Sequence, residues 1–321
     1  MADVMMLDSH FSTTKNVTGQ KPAIVHRSGD KFETTLFLPQ REGRWGEGGL
    51  RTKGYFKTSL EEKPLLTVIT VVFNGQKHLE QTIQSVINQS YDNVEYIVID
   101  GGSTDGTLDI VKKYELAIDY WVSEPDKGIY DAMNKGLRLA TGKYVGFINA
   151  DDYYVEGAVE KAVFMLQKSR KDYFTGAVKK IPSSLIVTPI AILQKKEIYQ
   201  GMMYPHIGAF IPLAVYKQVG LFNLEYKIAA DFDMALRIHL SGYEAVSCSD
   251  IVVVFREGGA SDTIKSKYEN LQIAIKHGRP KVAAYMSFFI NSLKHIVALI
   301  LPKLLLSKIY EFKRGRFRYE N

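Results

Sequence analysis

The sequence predicts an α/β fold with a mixed, mostly parallel sheet flanked by helices, and the order of its apolar segments is the main reason. Three short runs rich in Val, Ile and aromatic residues have the character of strands, within 67–74, 94–107 and 143–152. Helical segments separate them, and a β-α-β-α-β order is typical of a parallel sheet. Ligands of such sheets bind outside the carboxyl ends of the strands. The last two runs carry carboxylates at that end, which predicts a site for a metal and a phosphorylated ligand.

The connecting segments have the periodicity or the end signals of helices. Residues 78–90 carry apolar side chains at spacings of three and four, as in an amphipathic helix. Residues 104–114 follow a Gly-Gly-Ser turn with capping side chains, and 130–140 precede Gly142, a helix stop signal. After the third strand, the sequence predicts a helix at 156–167, a helix that begins near Asp231 and a strand at 245–255.

These signals divide the chain into three regions. The α/β domain spans residues 64–262. Before it, residues 1–63 mix strand-like pieces at 23–26 and 34–38 with a Gly- and Arg-rich stretch, and we expect them to cover the domain as an ordered arm. After it, residues 263–321 form a basic, amphipathic helical tail.

The amino-acid composition restricts the compartment in which the protein works and the partners that it can bind. The chain has 321 residues, a formal net charge of +6 and a single cysteine, which excludes an internal disulfide and a cysteine-rich zinc site. The amino terminus lacks the basic and apolar segments of a signal peptide, so we expect a cytoplasmic protein. The charge is concentrated in residues 277–321, where nine Lys or Arg and two Glu give +7.

The tail combines this charge with an apolar segment, 283–310, which Lys294, Pro302 and Lys303 interrupt. No uninterrupted apolar run reaches the ~18 residues of a spanning helix. An amphipathic helix at the inner face of the plasma membrane fits better, with lysines near anionic headgroups. Packing on the α/β domain, or on a second subunit of a homo-oligomer, is the alternative. The sequence has no nucleic-acid reading motif, so we expect no nucleic-acid partner.

Six short motifs lie in order between residues 64 and 261: TVITVVFN, SVINQS, EYIVIDGGSTDGT, GIYDAMNKG, NADD and AADFDMALR. Together they resemble family 2 glycosyltransferases, which have the GT-A, Rossmann-like fold, and in particular bacterial enzymes that build surface polysaccharides. The resemblance implies transfer of a sugar, with inversion, from a nucleotide-diphosphate sugar, usually UDP-linked. The acceptor would be a hydroxyl of a glycan or a lipid-linked molecule. The resemblance also implies a divalent metal, Mn²⁺ or Mg²⁺.

Asp151 is the expected metal ligand. Hard cations take carboxylate oxygens, and a metal that bridges two phosphates needs only one or two of them from the protein. Such a metal would offset charge on the departing diphosphate. The family's motif is usually Asp-x-Asp, and here Asn149 replaces its first Asp. We expect Asp152 beside the metal, in the nucleotide-sugar site. The alternative for both aspartates is to cap the helix that follows.

Five further residues are expected on the nucleotide side. The resemblance places Asp100 against the base, where a carboxylate accepts a hydrogen bond from a uracil N–H. Phe73 would stack beside the base, and Asn74 ends the same strand. Lys127 and Asp131 are expected at the rim of the donor pocket. Each residue also has a simpler alternative. Asp100 and Asn74 would stabilise turns and Phe73 would be a core residue. Lys127 and Asp131 would be solvated surface charges.

Asp231 is the expected general base. Inverting transfer is one in-line displacement, so a single carboxylate must lie beside the acceptor hydroxyl, opposite the leaving diphosphate. The resemblance puts this residue in AADFDMALR at the start of a helix, where N-capping is the alternative. His206, Arg256 and Ser261 are weaker candidates for the acceptor or diphosphate side.

Two other functions are alternatives. A sugar nucleotidyltransferase would carry a Gly-rich phosphate loop after the first strand, and this signal is weak here, where the sequence is FNGQKH. A non-catalytic nucleotide-sugar-binding protein is the other alternative, against which the presence of Asp151 and Asp231 argues.

Overall fold

The computed structural model describes residues 4–189, 198–199, 202–258 and 263–300. This part of the chain contains a ten-stranded sheet, a two-stranded sheet and eight α-helices. The strands are β1 (Val17–Thr18), β2 (Gly46–Gly48), β3 (Phe56–Lys57), β4 (Leu66–Val72), β5 (Val94–Asp100), β6 (Tyr120–Ser123), β7 (Tyr144–Asn149), β8 (Tyr153–Tyr154), β9 (Tyr173–Ile181), β10 (Ile186–Val187), β11 (Ala209–Pro212) and β12 (Ala245–Arg256). The helices are α1 (Leu79–Ile87), α2 (Thr107–Lys113), α3 (Ile129–Leu139), α4 (Ala158–Lys168), α5 (Leu213–Val219), α6 (Ala230–Leu240), α7 (Ile264–Lys276) and α8 (Lys281–Ile300).

The large sheet is mixed, with a parallel centre. Its strand order is β2-β6-β5-β4-β7-β11-β9-β12-β8, and β10 pairs with β9. The four central strands β6, β5, β4 and β7 are parallel, as are β9 and β12, and the other pairs are antiparallel. Parallel neighbours require crossover connections, which α1, α2 and α3 supply. The predicted α/β class is confirmed.

Helices cover both faces of the sheet centre, which explains why every residue of β4 and β5 is buried. Side chains alternate between the two faces along a strand. Ile69 and Val71 therefore pack with residues of α3 and α6, whereas Val68 and Val72 pack with residues of α1 and α4. The apolar core is thus divided by the sheet into two halves.

One central strand, β6, was not predicted. Its four residues, YWVS, are all buried and lie between β5 and β2. A run this short has no clear periodicity, so its pairing with β5 and not its own sequence identifies it as a strand.

The arm before the α/β domain extends the sheet. The predicted strands at 23–26 and 34–38 do not form; the Gly- and Arg-rich stretch instead provides β2, which pairs antiparallel with β6. Glycine is required in β2, because a Cβ atom at Gly48 would lie 2.6 Å from Nε1 of Trp121. Arg51 then anchors the arm: its Nη2 donates to Oε1 of Glu95 at 2.5 Å, and both side chains are buried.

The carboxyl-terminal helices α7 and α8 pack on each other, and α7 also contacts the α/β domain. His277, which follows α7, places its Nε2 2.8 Å from Oδ1 of Asp233 on α6. Among the described residues, no helix is both long and apolar enough to cross a bilayer.

Candidate active site

A cavity of about 550 Å³ opens at the carboxyl ends of β4 and β7. Six of the predicted site residues line it: Phe73, Asn74, Asp151, His206, Asp231 and Arg256. They come from segments more than 150 residues apart in the sequence, and the strand ends bring them together. A second cavity of the same volume lies between arm residues 22–30 and the amino end of β7, and none of the predicted residues lines that one.

Asp151 lies in the turn that follows β7 and is exposed. Asn149, which also lines the cavity, has a buried Oδ1 that accepts no hydrogen bond within the described residues. Carboxylate and amide oxygens suit a hard divalent cation, so these residues fit the implied metal. No three His, Cys, Asp or Glu side chains cluster as a complete metal site in the described ranges. The protein would therefore supply one or two ligands and a bound diphosphate would supply others.

Asp152 is fully buried and does not line the cavity. Its Oδ1 accepts from the backbone N–H of Arg256 at 2.8 Å, and its Oδ2 accepts from Nδ2 of Asn149 at 3.0 Å. Burial raises the pKa of Asp152 to about 7. The N-cap of α4 is Gly157, so the capping alternative for the two aspartates is wrong. Asp152 instead joins β7 to the end of β12.

Arg256 brings a positive charge to the same edge. Its guanidinium donates to the carbonyl oxygen of Asp151 and to Gln81, and it lies over the ring of Tyr153 at 5.3 Å. Ser261 lies outside the described residues.

Asp231 is the second residue of α6, whose N-cap is Ala229, so its own capping alternative is also wrong. Its Oδ2 lies 3.4 Å from Nδ1 of His206, and its Oδ1 lies 3.2 Å from the hydroxyl of Tyr130. That hydroxyl donates to the carbonyl oxygen of Ile228 at 2.6 Å. The sequence did not single out Tyr130, although it lies in the GIYDAMNKG motif at the start of α3.

Asp233 has a structural role. Burial opposes its ionisation, but hydrogen bonds from His277 and Arg237 outweigh this and lower the pKa of Asp233. Nε of Arg237 donates to Oδ2 of Asp233 at 2.8 Å, and the guanidinium also donates to three carbonyl oxygens in residues 219–221. This ion pair fixes α6 next to the cavity.

The residues predicted for the nucleotide side have different surroundings in the structure, and not all of them line the same cavity. Phe73 is 64% exposed, so it is not a core aromatic. Asn74 has a left-handed backbone, with φ of 52°, and its Oδ1 accepts from the N–H of Thr104 at 2.8 Å. Lys127 and Asp131 are not in the wall of the large cavity; they line a small neighbouring one of about 20 Å³.

Asp100 lies at the predicted strand end, but its carboxylate is buried and already hydrogen-bonded. It accepts from the N–H and the hydroxyl of Ser103 and from the hydroxyl of Ser123 at 2.5 Å. Asp126 packs against Gly101, the residue that follows Asp100. A Cβ atom at Gly101 would lie 2.4 Å from Oδ2 of Asp126. Contact between Asp100 and a nucleotide base stays a prediction.

The sequence matches the family model for glycosyl transferase family 2 over residues 67–212. It is 33% identical over 182 residues to the uncharacterized glycosyltransferase Rv1514c of Mycobacterium tuberculosis, which covers 55% of this chain and 70% of that protein. The chain belongs to glycosyl transferase family 2. A second relative is the putative teichuronic acid biosynthesis glycosyltransferase TuaG of Bacillus subtilis, 40% identical over 118 residues, which is 36% of this chain and 47% of TuaG.

Solved structures of two other glycosyltransferases share the fold of this family 2 member. Staphylococcus aureus TarS 1–349, in complex with UDP-GlcNAc, has a TM-score of 0.56 at 19% identity and covers 70% of each chain. The mannosyltransferase PcManGT of Pyrobaculum calidifontis, in complex with GDP-Man and Mn²⁺, has a TM-score of 0.53 at 20% identity, over 80% of this chain and 81% of that one. The predicted GT-A fold and glycosyltransferase function are confirmed.

Proposed function

We propose that this family 2 glycosyltransferase moves a sugar from a nucleotide-diphosphate sugar to a hydroxyl, with inversion and with the help of a divalent cation. One observation carries the proposal: Asp151, suited to a cation, and Asp231, suited to a general base, line the same cavity. The family favours sugar transfer over the nucleotidyltransferase alternative. Mn²⁺ in the PcManGT complex supports the cation.

Asp231 is the general base of the proposed reaction. The acceptor oxygen attacks the anomeric carbon, its proton passes to the Asp231 carboxylate, and the bond to the diphosphate breaks on the opposite face. Asp151, with the amide oxygen of Asn149, would hold the cation, which supplies charge stabilisation for the leaving diphosphate. Arg256 contributes a fixed positive charge at the same edge.

The donor is a nucleotide sugar, and we propose a UDP-linked one. The TarS structure holds UDP-GlcNAc and the PcManGT structure holds GDP-Man, so both neighbours bind donors of this class. The exposed ring of Phe73 at the cavity wall offers a surface for stacking on a base. We place Asp100, Lys127, Asp131 and Asp152 around this donor as supporting residues.

The acceptor is a glycan or a lipid-linked molecule of a bacterial cell surface. TuaG is named for teichuronic acid biosynthesis, and other relatives are named for PGL/p-HBAD biosynthesis. These names support an enzyme that works on a growing surface glycan, and we propose that it does so in the cytoplasm, at the inner face of the plasma membrane.

The outer face of α8 supports contact with that membrane. Six of its large apolar side chains are exposed, at spacings of three and four, and so form one stripe: Val282, Tyr285, Met286, Phe289, Ile290 and Leu293. We call these six residues the apolar stripe. In the sequence, residues 301–321 then add six Lys or Arg and two Glu. An apolar helix face next to basic residues matches an anionic lipid surface.

Replacement of Asp231 by Asn tests the proposal. The purified full chain is given UDP-GlcNAc or GDP-Man with Mn²⁺, and release of UDP or GDP is measured together with thermal stabilisation by the free nucleotide. We expect release to fall by about 10²- to 10⁴-fold, because the base is lost. Nucleotide stabilisation should persist, since a ligand bound by the native state raises its stability.

The matched control is Asp109→Asn, a change of an exposed aspartate on α2, which should leave both measurements unchanged. Full turnover by Asp231→Asn would remove Asp231 as the base. If no UDP- or GDP-linked sugar stabilises the wild-type protein, with or without Mn²⁺, the proposed donor class is contradicted.

A further inference from the structure

A buried carboxylate on α7 holds the backbone that leads into α6. Glu269 is only 6% exposed, and its Oε2 accepts from the N–H groups of Ile228 and Ala229, both at 2.9 Å. Its Oε1 accepts from the N–H of Lys227 at 3.1 Å. Three successive amides thus converge on one charge. Because Ala229 is the N-cap of α6, the carboxylate also lies at the positive end of that helix.

The same segment contacts Asp231 through a tyrosine. Ile228 donates its backbone N–H to Glu269, and its carbonyl oxygen accepts a hydrogen bond from the hydroxyl of Tyr130 at 2.6 Å. The hydroxyl oxygen of Tyr130 is 3.2 Å from Oδ1 of Asp231. A continuous series of contacts therefore runs from α7 to the carboxylate of Asp231.

The direction of the Tyr130 proton matters for the chemistry. A phenol that donates to a carboxylate stabilises its charged form and makes it a weaker base. The hydroxyl donates to both acceptors, and the carbonyl of Ile228 at 2.6 Å is nearer than Oδ1 of Asp231 at 3.2 Å. A displaced Ile228 would leave the hydroxyl to donate to Asp231 alone.

We infer that Glu269 is a positioning residue for the general base. It holds residues 227–229 so that the carbonyl of Ile228 stays the nearer acceptor of the Tyr130 hydroxyl and leaves Asp231 the longer contact. This inference rests on the proposed function, in which Asp231 is the base. It makes α7 a part of the reaction machinery, although its residues do not line the cavity.

Other ionisable groups also face Asp231, and the test has to separate their effects from that of Glu269. They belong to the cavity wall or pack beside it: Lys77, His78, Asp151, Tyr204, His206, Lys227 and Arg256. None of them is changed in the variants below, so their contribution is common to all profiles.

The experiment compares the pH profile of kcat for release of UDP from UDP-GlcNAc, or of GDP from GDP-Man, by the full chain with Mn²⁺. The acid limb of such a profile reports the base in the bound complex. For Glu269→Gln we expect the limb to move to lower pH and kcat to fall about ten- to a hundredfold, with the KM for the donor unchanged. Glu225→Gln, a change of an exposed carboxylate near α7, is the control and should leave the profile in place.

Tyr130→Phe distinguishes positioning from a general loss of structure. It should move the limb to higher pH, opposite to Glu269→Gln, because the donor to the Asp231 carboxylate is gone. In that background, Glu269→Gln should cause no additional movement. Additive shifts, or an unmoved limb in either single variant, would overturn the inference. If Glu269→Gln does not fold, the profile of Tyr130→Phe alone decides.

The two proposals fail differently. A wild-type protein that releases nucleotide from neither donor contradicts the proposed function, whereas an active Glu269→Gln variant with an unmoved profile contradicts only the role of Glu269.

Discussion

Carboxylates at the ends of the central parallel strands have opposite surroundings in this protein. Asp151 is exposed at the cavity, whereas Asp100 and Asp152 are buried with their oxygens occupied by donors of the protein itself. The presence of an aspartate at a strand end therefore does not define the role of that residue. Its role depends on the hydrogen bonds that its carboxylate accepts.

This contrast predicts different consequences for adjacent residues. Asp151→Ala should abolish the Mn²⁺-dependent part of the stabilisation by UDP but leave the stability of the free protein unchanged, because its side chain is exposed. Asp152→Ala should lower the free energy of unfolding by about 1–3 kcal/mol, because the N–H of Arg256 and the amide of Asn149 lose their acceptor. Urea unfolding and thermal shifts with UDP, with and without Mn²⁺, measure both effects. Equal effects of the two changes would contradict this assignment.

Asp119 gives a pH-dependent prediction. It is buried just before β6 and accepts from the N–H of Tyr96 at 2.7 Å. Burial raises the pKa of Asp119 from 3.8 to about 7, although Lys57 opposes this. The folded state therefore keeps a proton that the unfolded state releases, and the stability due to this group is lost as pH rises from about 4 to about 7.

Asp119→Asn removes this titration but keeps an acceptor for Tyr96. The difference in unfolding free energy between the two proteins should shift in favour of the variant as pH rises through that range. Urea unfolding at several pH values measures it, and a difference that is constant with pH would exclude the raised pKa.

At the level of elements, local patterns predicted most of the fold. The strands β4, β5 and β7, the helices α1 and α3 and the late strand β12 lie where local composition, periodicity and stop signals placed them. What failed depends on distant partners. Ser123 is the last residue of β6, which the sequence did not predict. The hydrogen bond from its hydroxyl to the carboxylate of Asp100 was therefore not expected either. Tyr130 meets Ile228 across 98 residues, and no local signal reports such a contact.

The buried ion pair that anchors the arm gives a prediction about the free energy of unfolding. Arg51→Ala should lower the free energy of unfolding by about 3–5 kcal/mol, because Glu95 stays buried without its partner. Lys53→Ala, which breaks a partly exposed pair with Glu115, should cost at most about 1 kcal/mol. Urea unfolding of both variants makes the comparison, and similar losses would show that the buried pair does not anchor the arm.

At the level of the whole molecule, the cavity and the apolar stripe belong to one continuous structure. The domain carries the proposed base on α6, α7 contacts α6 through Asp233 and His277, and α8 presents the stripe. We propose that an enzyme arranged in this way meets its acceptor at a lipid surface. The division into regions at 63 and 262 stays a prediction.

Changing Phe289 and Leu293 together to Asn should weaken binding to vesicles that contain phosphatidylglycerol by about tenfold or more, because each side chain loses apolar contact with lipid. Vesicle sedimentation measures this, and Phe164→Asn, an exposed aromatic change on α4, is the control. Unchanged vesicle binding together with loss of a dimer in size-exclusion chromatography would assign the stripe to a second copy of the chain instead.

The pairing of β2 with β6 has a consequence for handling this protein. The family match begins only at residue 67, which invites truncation of what precedes it. Removal of that segment would leave β6 as an open sheet edge, with unpaired N–H and C=O groups and the ring of Trp121 uncovered. Open edges of this kind recruit strands from other molecules. A shortened version should therefore precipitate or self-associate, even though every residue of the cavity wall is still present.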